Sequence, residues 1–235
     1  MPPIDKEAVC HVHLTGFGPF HNVPINPSWE AVQRLNGATL EAPVDDQSAT
    51  PKTIRIKSHL VPVKYSAVLS QIPALHSAGG SDGRTPPPDV LVHVGVGTEG
   101  KVRLEQRARK WGYDKLDVDG HLGPFDESEN KRGFAGDEWI ELDDELATTV
   151  DVARVVGDAK RRGLEHVETS HDAGLYLCEF TYYASLASAQ KLNSGRPTLV
   201  QFVHVPPIGK PYSLDQLTEA LKVLVLSIAE TARAT

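Results

Sequence analysis

Residues 8–17, AVCHVHLTGF, alternate apolar and polar side chains and end in Gly-Phe, the pattern of a strand running into a loop. NPSWEAVQRLNG, at 26–37, reads as a short capped helix: Asn26 suits the N-cap, Pro27 the first helical position and Gly37 the stop. Alternation returns at 53–63, and helix-like apolar spacing follows over 65–78. DVLVHVGVG, at 89–97, is nearly continuously apolar, as expected of a strand covered on both faces. ELATTVDVARVVGDAKRRG, at 145–163, predicts a helix ending on basic residues and Gly163. A short strand at 166–170, a helix from about 178 to 190 and a strand at 197–208 come next. An amphipathic helix with Ser213 as its N-cap closes the chain.

Strand and helix therefore alternate, which predicts an α/β sandwich around a mostly parallel, twisted sheet. Without an internal repeat or linker, residues 1–235 are expected to form one domain. Three stretches read as surface insertions: 41–52, 77–88 and 118–138. The interrupted basic stretch KVRLEQRARK, at 101–110, reads as a solvated surface.

Composition narrows the function. A net charge of −7 argues against a nucleic-acid partner, which would need clustered Lys and Arg. No run approaches the roughly 18 apolar residues of a membrane span, and the N-terminus lacks the pattern of a secretory signal. Two cysteines make no disulfide framework, so a reducing cytoplasm is expected, where a free thiol is available for chemistry.

Cys178 falls where a polar stretch turns helical. Unpaired N–H groups at a helix start favour a thiolate and can hold an oxyanion, although a free cysteine is also a common core residue. Cys10, inside a strand, reads as packing. His204 lies near the C-terminal end of a strand, the edge where open α/β sheets assemble their sites. Glu105, Glu99 and Asp172 are all candidates for the acid that would orient it, and spacing does not choose among them. His11 and His13 share a strand face, but no Cys/His/Asp cluster completes a metal site around them, so no metal is expected. GVGTEG, at 95–100, matches a dinucleotide fingerprint, with Asp117 and Asp119 downstream as ribose-binding acids. Val102 and Leu104 then alternate as in a strand, where the fingerprint requires a helix, so no cofactor is expected.

Four stretches carry a resemblance to a known family: TGFGPFHNVPINPSWEAV (15–32), VGVGTEGKVRLEQRARKWGY (94–113), DAGLYLCEFTYYASL (172–186) and FVHVPPIGKPYSLDQL (202–217). In this order they resemble pyroglutamyl-peptidase I, a cytosolic cysteine peptidase, and the cysteine and histidine segments are similar to its animal-type members. The resemblance implies an α/β/α sandwich and a Cys–His–Glu triad falling on Cys178, His204 and Glu105. It also implies a pyroglutamate pocket formed partly by Phe17, Phe20, Tyr176 and Leu177. A glutamine that many bacterial members carry in the Gly-rich loop is replaced by Val96. Asn26 is a candidate for lactam binding as well as for the helix cap. The implied partners are peptides with an N-terminal pyroglutamyl residue. A non-catalytic lactam- or peptide-binding protein on the same fold is the alternative.

Overall fold

The protein is described here from a computed structural model, over residues 9–20, 23–41, 53–77, 87–192 and 198–231. Strand β1 (Cys10–Phe17) leads to α1 (Pro27–Gln33), β2 (Thr39–Glu41), β3 (Thr53–Val61) and α2 (Tyr65–His76). β4 (Val90–Val96), β5 (Val102–Glu105) and β6 (Arg107–Arg109) follow, then the β7 (Phe125–Asp126) and β8 (Lys131–Arg132) hairpin and β9 (Glu145–Ala147). The chain ends with α3 (Val152–Arg161), β10 (Val167–Ser170), α4 (Leu177–Lys191), β11 (Leu199–Val205) and α5 (Leu214–Thr231).

Seven strands form one sheet in the order β10-β5-β11-β4-β1-β3-β2. The pairs β1/β3, β1/β4, β4/β11 and β5/β10 are parallel, whereas β5/β11 and β2/β3 are antiparallel. Apolar side chains of α1, α3 and α5 bury one face, and those of α2 and α4 the other. This is the expected α/β/α sandwich, and β4 is buried along nearly all its length, as a central parallel strand should be. Among the described residues no helix is long and apolar enough to cross a membrane.

The capped starts form as the sequence indicates. Asn26 Oδ1 accepts from Ser28 N at 3.1 Å. Ser213 and Gln216 exchange a reciprocal pair, Gln216 N donating to Ser213 Oγ and Ser213 N to Gln216 Oε1. Three expectations change. The helix expected from 145 begins only at Val152, because Asp151 caps it by accepting from Arg154 N. Residues 145–147 pair with β6 instead. The 101–110 stretch is no solvated surface: it carries β5 and β6, with Val102, Leu104 and Ala108 buried. Its period-2 alternation wins over its charge, since Arg103 and Arg107 reach acids on neighbouring segments. The 118–138 stretch is only partly surface, because Phe134 is buried in the α2/α4 cluster and Val118 packs against it. Of the other two insertions, residues 42–52 and 78–86 lie outside the described residues.

Beneath α2 and α4 the sheet carries buried histidines. His93 Nδ1 and Thr15 Oγ1 join β4 to β1 at 2.8 Å, and His76 Nε2 and Ser185 Oγ join α2 to α4 at 2.8 Å. The other ring nitrogens of both, and Nδ1 of His13, are buried without a hydrogen-bond partner among the described residues. Burial, above all, lowers His13 and His76 to about 4 and His93 to about 3, with neighbouring histidines adding to the shift of His13 and His93. The unfolded chain takes up these protons near pH 6.5 and the folded chain only near 4 or below. Stability is therefore retained above pH 6.5 and lost as the pH falls through that window. His76→Gln is expected to reduce the loss between pH 7 and pH 5 by about 2 kcal/mol, read from urea unfolding at both pH values. An unchanged loss would show that His76 does not titrate in this way.

Candidate active site

The antiparallel pairing of β5 with β11 sets Glu105 opposite Phe202 and Arg103 opposite His204. Glu105 and His204 are thus diagonal neighbours on one face. There His204 Nδ1 donates to Glu105 Oε1 at 2.8 Å, and both side chains are nearly inaccessible. Two buried donors fix the backbone carbonyl of Glu105: Tyr182 Oη at 2.9 Å and Gln201 Nε2 at 2.8 Å.

Cys178 stands in the first turn of α4 and is half-buried. Tyr182, one turn further along the same helix, ties that turn to Glu105. The N-cap residue, Tyr176, makes no side-chain capping bond, so the opening N–H groups of α4 have no such acceptor. Below Cys178 runs β4. A Cβ placed on Gly95 would lie 2.8 Å from Cys178 Sγ, and one on Gly97 would lie 2.9 Å from His204 Cβ. The glycines of GVGTEG make room for the cysteine and the histidine. No helix follows them to receive a pyrophosphate, and the downstream Asp117 is buried, accepting from Tyr65 N, Asp119 N and His121 N.

Burial works against a charged His204, but the charge and hydrogen bond of Cys178, then the hydrogen bond and charge of Glu105, outweigh it. They raise the imidazole to about 9. A cysteine, an imidazole and a buried carboxylate in sequence are the parts of a nucleophile–base–orienting-acid relay. The other two candidate acids have partners of their own: Glu99 is exposed and paired with Lys210, and Asp172, at the rim of the same site, is paired with Arg109.

A cleft of about 400 Å³ opens beside these groups, lined by Val96, Thr98, Arg103, Tyr176, Cys178 and His204 among others. Of the four expected pocket residues, Tyr176 lines it. Phe17 and Leu177 are buried in the α2/α4 cluster, on which Phe20, Tyr176 and Cys178 pack. Asn26 is committed to structure, since its amide donates to Gly18 O while its oxygen caps α1. Cys10 is buried in β1, as expected of a packing residue. Around His11 and His13, as elsewhere among the described residues, no metal-binding cluster forms. The sequence does not mark Tyr182 or Gln201 as site residues, and it marks Gly95 and Gly97 only through the dinucleotide pattern. The spacing of Tyr182, four residues after Cys178, was the one available signal.

Comparison with known proteins bears on the whole chain. The family model described as pyroglutamyl peptidase matches residues 10–73. Pyroglutamyl-peptidase 1 of Homo sapiens is 36% identical over 218 residues, covering 91% of this chain and 87% of that protein. Pyrrolidone-carboxylate peptidase of Bacillus amyloliquefaciens is 28% identical over 228 residues, covering 93% and 92%. The crystal structure of pyroglutamyl peptidase I from Bacillus amyloliquefaciens superimposes with a TM-score of 0.72 at 26% identity, covering 95% of this chain and 98% of that one. With the human relative more than 30% identical across nine-tenths of its length, the chain belongs to the pyroglutamyl-peptidase I family.

Proposed function

We propose that the chain is a cysteine peptidase that hydrolytically removes an N-terminal pyroglutamyl residue from peptides, with Cys178 as nucleophile, His204 as base and acid, and Glu105 as the orienting acid. The observation that carries this reading is the buried 2.8 Å bond from His204 Nδ1 to Glu105, on the sheet face where Cys178 begins its helix. That bond leaves Nε2 of the imidazole for the thiol.

His204 takes the proton of Cys178, and the thiolate attacks the carbonyl carbon that joins pyroglutamate to the next residue. The opening N–H groups of α4 hold the oxyanion, each such donor contributing about 3 kcal/mol to the barrier reduction. The intermediate collapses by breaking the C–N bond, and His204 gives its proton to the leaving amine. Water, deprotonated by His204, then attacks the thioester. Pyroglutamate leaves and the cysteine is restored.

A pyroglutamyl ring is a neutral lactam without an α-ammonium group, so its site needs apolar surface and a few hydrogen bonds rather than a counter-charge. Tyr176 at the cleft, with Phe17, Phe20 and Leu177 in the cluster on which it packs, supplies that apolar surface. Val96 offers no side-chain hydrogen bond there, so the lactam's hydrogen bonds fall to backbone groups and to other polar side chains at the cleft, such as Thr98 and Ser170.

Three outcomes are expected. With a pyroglutamyl-aminocoumarin under reducing conditions, wild type releases the fluorophore and Cys178→Ala does not; normal turnover by a folded Cys178→Ala would refute the nucleophile. Glu105→Gln lowers kcat by roughly 10³-fold, because the imidazole loses its orientation and the partner of its charged form. In a pH series, kcat/KM declines as the pH rises through about 9, because His204, raised above its ordinary value, then gives up the proton it supplies to the leaving amine. An alkaline limb at pH 7 or below would contradict the paired His204.

A further inference from the structure

A second carboxylate lies next to Cys178 in sequence. The side chain of Glu179 is 1% exposed and belongs to the first turn of α4. Its Oε1 accepts from Arg109 N at 3.0 Å and Arg109 Nε at 2.6 Å, and its Oε2 accepts from Arg109 Nη2 at 2.8 Å. Oε2 also accepts from Leu175 N at 2.8 Å. Leu175 has φ of 46°, a left-handed conformation that a branched side chain rarely adopts without being held. Asp172, at the other end of this short loop, accepts from Arg109 Nη2 and from Gly174 N. The guanidinium of β6 thus grips the loop at both ends, once directly through Asp172 and once through Glu179.

We propose that the buried Glu179–Arg109 pair is a positioning device for Cys178: Glu179 pins the strained Leu175 in the loop that leads into the nucleophile's helix, and Arg109 cancels the charge that Glu179 would otherwise place beside the thiolate. The inference rests on the reading of Cys178 as nucleophile. A carboxylate in this position can take over the loop N–H while the helix's own first donors stay free for the oxyanion. A cap at the N-cap residue would occupy one of them. The carboxylate is tolerated because the pairing is a planar fork, which satisfies both oxygens at once. An unpaired carboxylate at this depth would disfavour the neighbouring thiolate. The other titratable or charged groups facing Cys178 are His204, Glu105, Arg103, Asp172 and Tyr176, all unchanged by the substitutions below.

The test reads the pH dependence of Cys178 alkylation by iodoacetamide, with Cys178→Ala as the blank that corrects for Cys10. Arg109→Met leaves the carboxylate unpaired and is expected to raise the alkylation midpoint by about 0.5 pH unit or more. Glu179→Gln leaves the guanidinium in excess and is expected to lower the midpoint. The double variant is expected to return it towards wild type. With the peptidase substrate, Arg109→Met lowers kcat by about ten-fold with KM within about two-fold, the signature of a displaced reacting group rather than of lost substrate binding. Midpoints that stay at the wild-type value, or that move the same way in both single variants, would overturn the proposal. Should Arg109→Met fail to fold, the sign of the Glu179→Gln shift decides alone. Failure of the nucleophile reading is distinguishable, because it appears as turnover by Cys178→Ala whatever the alkylation midpoints do.

Discussion

The site depends on the register between two antiparallel strands. β5 is the strand that runs against β11 within a largely parallel sheet, and its pairing places Glu105 diagonally from His204 rather than beyond its reach. A slip of β5 by one residue would turn Glu105 to the face away from His204. Burial raises what is at stake. Among the described residues Glu105 Oε2 has no hydrogen-bond partner, so the bond to His204 through Oε1 is the one hydrogen bond they give the carboxylate. The two donors on the Glu105 carbonyl, from Tyr182 and Gln201, hold the backbone where that single bond can form. Because Tyr182 belongs to the helix that begins at Leu177, the same contact sets the height of Cys178 over the sheet.

The two faces of the sheet have different characters. The face under α1, α3 and α5 is predominantly apolar, a packed layer of Val, Leu, Ile and Ala with few buried polar groups, such as Gln201 and Ser227. The face under α2 and α4 mixes aromatic rings with buried histidines and ends in the cleft. Stability and chemistry are therefore divided between layers. The first face can be packed for density alone, while the second accommodates polar groups whose unpaired nitrogens make it sensitive to acid.

Much of the architecture was legible in the sequence, for local reasons. The apolar run at 90–96, the caps at Asn26 and Ser213 and the alternation of strand and helix are all encoded by neighbours in the chain. Residues 145–147 were misread as helix because their strand character comes from pairing with β6, which periodicity does not register. The charge of 101–110 masked the burial of β5 and β6, although Val102 and Leu104 alternate as in a strand, since its arginines find partners on other segments. Cys178 and His204 could be found from their places at a helix start and a strand end. Glu105 could not be separated from Glu99 and Asp172 by spacing, because its partner lies 99 residues away. The resemblance pointed to it. Asn26 had two readings, and only its hydrogen bonds distinguish the cap from a ligand-binding group. The need for Gly95 and Gly97 was equally out of reach, because it arises from side chains that approach β4 across the fold.

The bare start of α4 sets stability and reactivity against each other. α1, α3 and α5 each begin with a side chain that satisfies an orphan donor, while Tyr176 leaves those of α4 without one. A serine or aspartate at 176 would gain about 1 kcal/mol by filling one of them, set against the loss of the Tyr176 hydrogen bond to Leu116 O and its packing on Tyr65. It would do so by seating a protein oxygen where, on the proposed mechanism, the oxyanion must sit. Selection acting on the helix start alone would favour such a cap and yield a better-capped but inhibited protein. Position 176 is thus one where the best-capped sequence and the most active sequence should differ.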